Sequence, residues 1–481
     1  MYLNKIKLYY IIIMNEILYN LGYEIDYKDD KFYDDVYKYY YKKGFTPIIL
    51  SQITEILSLL FGITLSFFIL FGIDWSRILK CNNDCGDISL YINYRQPDII
   101  SLLLFFTISL YTLYKMCAHV YNLRNLRDVK NYYTHVLHIS QEELYTIKWK
   151  VVIDRISKIE NLTLYEITNK ILRRENYFIA LFDKEIINIH PSFYSKHLDS
   201  CIKHIIIENI DDLNIQSLRK KFILYGLINF VFSIPILIFY ILHFFASNID
   251  EFYSNKNVLG PRRYSIYAKR KFRNYNELEH FFEERLNKSV KHSLEYIKHF
   301  PSPSTEILGK FFGLIFGTFV GLFLILSLLD EGILLHLKIF DRTLLFYTAV
   351  VGAISAFSRS LIRTPEESIY NPEFVMEEKV VKYTNYMPTR WVGKCNTYKV
   401  RNEYIQLFPY IIVLFFYDLL GVLITPYILI FVLSKETESI VNFIKISSFG
   451  FNCIYSQNKK EIDDEKMRNS MTSFDENHSM K

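Results

Sequence analysis

The groups in this sequence that could do chemistry lie where they are costly to place. Asp418 falls inside "IIVLFFYDLLGVLITPYILIFVL", residues 411–433. An ionisable group in an apolar run of that length has a functional reading by default, with a helix–helix hydrogen bond as the structural alternative. Asn229 opens a second run, "NFVFSIPILIFYILHFFA" (229–246), and needs a polar partner there. Pro235 and Pro426 interrupt these two runs. Each removes a backbone donor and crowds the preceding turn, which lipid tolerates only where protein or a water-filled cavity covers the backbone. Paired, proline-broken apolar segments border the solute path in transporters. A third run, "TLLFYTAVVGAISAFSRS" (343–360), is rich in small residues. Such a run suits close helix packing first and a polar path second; in the second case Ser355 lies on the path, with Arg359 and Arg363 at its end. These arginines fix which end faces the cytosol, or meet anionic groups at a pore mouth.

Bond-making chemistry finds no support. The sequence has no P-loop, so no ATP-driven pump is indicated, and no GxSxG, HExxH or EF-hand pattern. His135 and His138 read as surface residues, and neither a metal site nor a cofactor is expected. Cys81 and Cys85, in "CNNDC", lack the partners of a zinc site; they are free thiols or, in an oxidising lumen, a small disulfide. With a net charge of +5, nothing marks a nucleic-acid partner. No signal peptide is expected at the N-terminus.

The elements that must position these groups follow from segregation. Half of the chain is hydrophobic (51%), and the apolar residues gather into six long runs with the charges between them. Each run approaches the ~20 residues that span a hydrocarbon core, which makes this an all-α polytopic membrane protein. Basic flanks put the N-terminus and residues 122–221 in the cytosol. Runs one and two (within 47–121, around a lumenal loop) and runs four and five (within 307–363) then read as four transmembrane helices. Run three (222–247) has basic residues on both sides, and run six (405–433) does so less sharply. Both read as re-entrant segments that enter, turn and leave on the cytosolic side. Residues 1–46, 248–306, 364–404 and 434–481 are then cytosolic, the last ending in a disordered tail after about Gln457. Gly313, Gly317 and Gly321 form a stripe in run four for close helix packing, within the chain or between subunits. Glu55 reads as interfacial, and Lys115 and Lys310 as snorkelling.

Six blocks carry a resemblance: "KKGFT" (42–46), "ILRRENYFIAL" (171–181), "RNYNELEHFFEERLNKS" (273–289), "YMPTRW" (386–391), "EYIQLFPY" (403–410) and "ITPYILIFVL" (424–433). In order and spacing, from about residue 32 to 457, they resemble the autophagy-related protein 9 family. The resemblance implies four spanning helices and two re-entrant segments per subunit in a domain-swapped homotrimer. It implies movement of membrane phospholipids between leaflets without ATP, during autophagosome formation. Preautophagosomal membranes and Golgi- or endosome-derived vesicles are the implied location. Autophagy-related protein 2, a lipid-transfer protein, and other autophagy factors are the implied partners. Asn229, Pro235, Ser355, Arg359, Arg363, Asp418 and Pro426 then become candidates for the lipid path. Unlike some members, the chain lacks a dense charged cluster in "DEFYSNKNVLG" (250–260). A passive scaffold that recruits partners and an ion or solute channel are the alternative functions.

The topology is testable. Cysteine labels at Ser254 and Thr397, on a background without native thiols, should react from the cytosolic side. Lumenal reaction at 254 would overturn the re-entrant reading of run three.

Overall fold

The structure is a computed structural model. It describes residues 30–74, 77, 78, 92, 99–207, 210, 214–234, 236, 237, 240, 241, 243, 244, 247, 248, 260–300, 303–329, 332, 335, 337–339, 342–362, 371–453 and 465–478. Cys81, Cys85, Pro235, Ser254 and Arg363 lie outside the described residues. The chain is mostly helical and divides into two compact units, the first ending at Arg174.

In the first unit, α1 (Asp30–Tyr41) buries one tyrosine-rich face through Tyr33, Val36, Tyr37 and Tyr40. Their spacing of three and four residues sets one stripe of a helix. Gly44 separates α1 from α2 (Phe45–Phe67). Its φ is +97°, and a Cβ there would lie 2.1 Å from Gln141 Nε2. The space is used: the Phe45 N–H and the Tyr39 hydroxyl both donate to Gln141 Oε1, and Gln141 Nε2 donates to the Lys43 carbonyl. The "KKGFT" block is therefore a turn built around a glutamine about a hundred residues away. α3 (Ile99–Asn131) carries run two and packs on α2. Glu55 and Lys115, read separately from sequence, pair with each other across α2 and α3, with His119 Nε2 3.6 Å from the same carboxylate. Opposite charges in or near lipid offset each other's desolvation. α4 (Trp149–Glu160) sets Trp149 edge-on against Tyr37. α5 (Leu164–Asp183) begins in this unit and continues into the second.

Beside a small core of Ile179, Ala180 and Tyr275, the described residues of the second unit form two large cores. One gathers Phe178 and Phe182 of α5, Leu198 and Ile202 of α6 (Lys196–Ile207), Phe222 of α7 (Ile215–Val231), and Leu429, Leu433 and Ile440. The other gathers Phe272 of α8 (Ile266–Phe272), Tyr296 of α9 (Glu279–Lys298), Met376, Trp391, Tyr404 and Phe408. In the second core, the hydroxyls of Tyr264, Ser289, Ser293 and Tyr404 bond one another. Run four is α10 (Pro303–Leu329). A two-residue ribbon, β1 (Lys338–Ile339) with β2 (Arg342–Thr343), joins it to α11 (Leu344–Ser360). That ribbon is the only sheet among the described residues, beside two isolated bridges, Ile73 with Ile92 and Arg262 with Tyr410.

After α12 (Tyr398–Leu407), run six is α13 (Ile411–Tyr427), continued by π turns over Ile428–Leu433. Within run six the helix breaks at 408–410, ahead of α13, and not at Pro426. The helix passes through Pro426, and the chain bends again at 434–436, before α14 (Thr437–Cys453). The widened π register follows directly on the proline, a common answer to a missing i→i−4 bond. Pro426 and its neighbour Thr425 are buried in protein.

Burial separates the apolar helices. Of the windows long and apolar enough to cross a membrane, Ser304–Leu329 is 0% buried within this chain and Ile411–Leu433 is 39% buried. One face of α13 packs on the cores, while Phe416, Leu420, Leu423, Tyr427 and Phe431 form an exposed stripe on the other. Both ends are also held. The Ile411 N–H donates to the Pro261 carbonyl beside the second core, and Leu433 lies in the first. α13 is thus tied at both ends to the two cores, with an apolar face outward.

Run three packs along α13. At Gly226 on α7, a Cβ would meet Ile430 Cγ1 at 2.4 Å and the Pro426 carbonyl at 3.3 Å. Further on, Phe244 stacks on Phe415 at 4.0 Å. Another difference lies near the chain end. Residues expected to be a disordered tail include α15 (Glu465–His478), in which Ser470 and Met471 are buried.

Gly226→Ala should destabilise the protein by ~1–3 kcal/mol, the usual cost of overpacking a close contact. Truncating Ile430 to Ala in the same chain should restore part of the loss, because it empties the colliding volume. A wild-type melting temperature for Gly226→Ala in detergent would show that the crossing is looser than described.

Candidate functional site

Among the described residues, most of those nominated fall into two clusters. The first forms where α13 crosses the start of α6. On α13, Asp418, Gly421 and Thr425 follow at helical spacing on the packed side. Gly421 permits the approach: a Cβ there would sit 2.1 Å from the Ser195 Cβ. That brings Asp418 to the first turn of α6, where its Oδ1 accepts the Lys196 backbone N–H at 3.0 Å. A carboxylate at a helix N-terminus satisfies an orphan donor and meets the positive end of the helix dipole. Thr425 turns its hydroxyl inward onto the Gly421 carbonyl at 2.6 Å.

Asn229 reaches the next residue of α6. Its Oδ1 lies 2.6 Å from His197 Nε2, and its Nδ2 donates to the Tyr225 carbonyl at 2.7 Å. With the amide so oriented, the oxygen can only accept, so His197 carries its proton on Nε2. The same Nδ2 lies 3.7 Å from the Cys201 sulfur. Burial lowers the His197 pKa, with the Asn229 contact opposing it in part. Burial also pushes the Cys201 thiol up to about 11. The cluster is thus an uncharged histidine, a thiol and an amide, with a capped carboxylate one residue away along α6. It has no activated nucleophile, and no metal-holding group of three or more such side chains occurs among the described residues.

The second cluster lies between α10 and α11. The tightest contact is at Gly309, which the stripe reading missed: a Cβ there would meet the Ser358 carbonyl at 2.8 Å and the Leu361 Cβ at 2.9 Å. Gly313 faces Ser358 Cβ at 3.8 Å and Arg359 Cγ at 4.0 Å. At Gly317, Arg359 Nη2 lies 3.6 Å and Ser355 Oγ 3.7 Å from the Cβ position. Gly321 has open space around it within this chain. The Arg359 side chain therefore runs back along the glycine face of α10, as helical side chains lean toward their own N-terminus. Ser355 and Ser358 are buried.

Sequence reasoning also passed over Ser195, Lys196, His197 and Gly421. Gly421 carried the available signal, as a lone glycine one turn from the nominated aspartate. Nothing in the sequence tied residues 195–197 to run six.

Comparisons with known proteins bear on these clusters. Residues 28–454 match the family model described as autophagy protein ATG9. Among curated proteins, the chain is similar to autophagy-related protein 9 of Dictyostelium discoideum, 31% identical over 447 residues, covering 86% of this chain and 64% of that protein. To the namesake of Arabidopsis thaliana it is 29% identical, covering 89% and 56%. To that of Saccharomyces cerevisiae strain S288c it is 28% identical, covering 91% and 48%. The chain spans about half to two thirds of the length of these relatives. It is also similar to the cryo-EM structure of Schizosaccharomyces pombe Atg9, with a TM-score of 0.64 and 28% identity, over 86% of this chain and 93% of that one.

The histidine gives a pH signature. With a folded pKa below its unfolded value, His197 takes up its proton first in the unfolded chain. Stability should be full above ~6.5, the unfolded pKa, and fall as pH drops through it. Melting temperatures should drop more steeply between about pH 7.5 and 5.5 for the wild type than for His197→Gln, whose amide can still donate to Asn229. Parallel curves would remove His197 from the cause.

Proposed function

The chain belongs to the autophagy protein ATG9 family, and from that premise we propose that it is an ATP-independent phospholipid scramblase of autophagosomal membranes. A scramblase changes no bond. It lowers the cost of carrying a charged headgroup through hydrocarbon, several kcal/mol per unsatisfied polar group.

The observation that carries this reading is the seam between α10 and α11. Lys310 ends the charged lead-in of α10, and Gly317 lies seven residues further on, ~10 Å along the axis at 1.5 Å per residue. At that level in the apolar run sit an arginine guanidinium and a serine hydroxyl, over a face left bare by glycine. A phosphodiester headgroup can pair with the guanidinium while its tails remain in lipid. Arg359 and Ser355 would line this part of the path, with Arg363 near its end. Asp418, Asn229 and the proline-bearing segments would support the headgroup entrance, where α13 and run three dip into one leaflet. Family membership supports a homotrimer, in which the open glycine face at Gly321 can meet a neighbouring subunit. It also supports location on preautophagosomal membranes and Golgi- or endosome-derived vesicles, cytosolic ends, and partnership with a lipid-transfer protein of the autophagy-related protein 2 kind.

Purified protein in liposomes, without nucleotide, should equilibrate fluorescent phospholipids between leaflets. Ser355→Trp and Arg359→Leu should each slow this about tenfold, equivalent to losing ~1.4 kcal/mol of barrier stabilisation, while leaving assembly size unchanged. Folded protein that moves no lipid would favour the scaffold. Ion current without lipid movement would favour a channel.

A further inference from the structure

Run three begins within α7, whose two faces differ. Leu218, Phe222, Gly226 and Asn229 are its buried residues. Spaced by four, four and three, they form one stripe of a helix. Leu218 and Phe222 belong to the first core, and Gly226 lies against Ile430, just beyond α13. The opposite stripe is exposed and holds Lys220, Leu224, Leu227 and Val231, spaced by four, three and four. Leu224 and Leu227 are 54% and 52% exposed, and Phe230 and Val231 are each 69% exposed.

Charge on this outward side is confined to the beginning of the helix. Lys220 lies on the stripe itself. Arg219 and Lys221 flank it on either side, because successive residues turn by ~100° about the axis. Arg219 and Lys220 are exposed, and neither makes an ion pair or hydrogen bond among the described residues. After Lys221 the rest of α7 carries no charge. From Lys220 to Val231 the helix rises ~16 Å at 1.5 Å per residue, about half of a ~30 Å hydrocarbon core.

Exposed leucine, phenylalanine and valine on one helix face mark a surface that is covered in use. With that face among acyl chains, the three cations stand at headgroup level. A zwitterionic headgroup brings its own cation beside each phosphate. A headgroup of net negative charge does not, and so complements the cluster.

We propose that Arg219, Lys220 and Lys221 form a binding collar for anionic phospholipids in the leaflet that α7 enters, holding the start of run three at the membrane surface. The site rests on run three being a membrane segment, and not on lipid movement.

Hydrogen exchange on the full chain in nanodiscs reads the collar directly. In discs rich in phosphatidylserine, the 218–222 amides should exchange about fivefold more slowly than in discs of phosphatidylcholine alone, the effect of roughly one basic residue at an anionic surface. High salt should abolish the difference; a difference that survives it would overturn a charge-based site. The double variant Arg219→Gln, Lys220→Gln should exchange alike in both discs, with an unchanged melting temperature because both side chains are exposed. Equal exchange of the wild type in both discs would overturn the collar and leave its residues as a topology signal alone. A double variant that keeps the difference would overturn it too, by moving the anionic lipid to another part of the chain. Soluble glycerophosphoserine added to phosphatidylcholine discs should change nothing; slower exchange would make the free headgroup the ligand and overturn the membrane-surface reading. None of these readouts requires lipid to cross the bilayer, so failure of the collar and failure of scrambling are told apart.

Discussion

A single notch in one helix orders much of the second unit. α13 is apolar all round except where Asp418, Gly421 and Thr425 line up. Left in lipid, that carboxylate would carry an uncompensated cost. Against the first turn of α6 it meets a free backbone N–H and the helix dipole. Gly421 makes the approach possible by leaving Ser195 the space that a side chain would fill. Once the notch is seated, the rotation of α13 about its axis is determined. Phe416, Leu420, Leu423, Tyr427 and Phe431 must then face away from the protein. The same seating brings Asn229 and His197 together one residue along α6.

The two kinds of apolar helix solve the backbone problem in different ways. α10 is apolar and unburied within this chain, so lipid or a neighbouring subunit must be its surroundings. It keeps an unbroken ladder and uses glycine to draw α11 close. α13 contains a proline, and its buried side lies on protein rather than in hydrocarbon, where a lost hydrogen bond costs least. The π turns after Pro426 take up the change of register. Polar side chains follow the same division. In the first cluster they are capped by one another and by α6. In the second, Arg359 lies over a bare glycine face.

Rigidity on the polar side comes from buried charge. Burial alone would raise the Glu175 pKa, but Arg273, Lys203 and Arg270 around it draw it down to about 2. Arg270 bridges this carboxylate to Asp199. Removing one member of such a network strands the others, which typically costs several kcal/mol. The network joins α5, α6 and α8, so the start of α6 is fixed by charge to both neighbouring helices.

The sequence by itself determined the broad class and the family. Segregated apolar runs, basic flanks and six blocks in register are local or additive signals, legible without contacts. It also singled out Asp418 and Asn229, because a polar group in a long apolar run stands out in one dimension. It could not tell what they touch. The partners of Asp418 lie more than two hundred residues earlier, and the pairing of Glu55 with Lys115 joins separate runs. Only tertiary structure decided those pairings, since long-range contact depends on which helix faces meet. It decided too that run six continues through Pro426, because burial of that stretch relieves the penalty a proline carries in lipid. The packing of α15 was likewise invisible: its polar composition reads as a solvated tail, yet Ser470 accepts the Tyr275 N–H, a contact about two hundred residues apart.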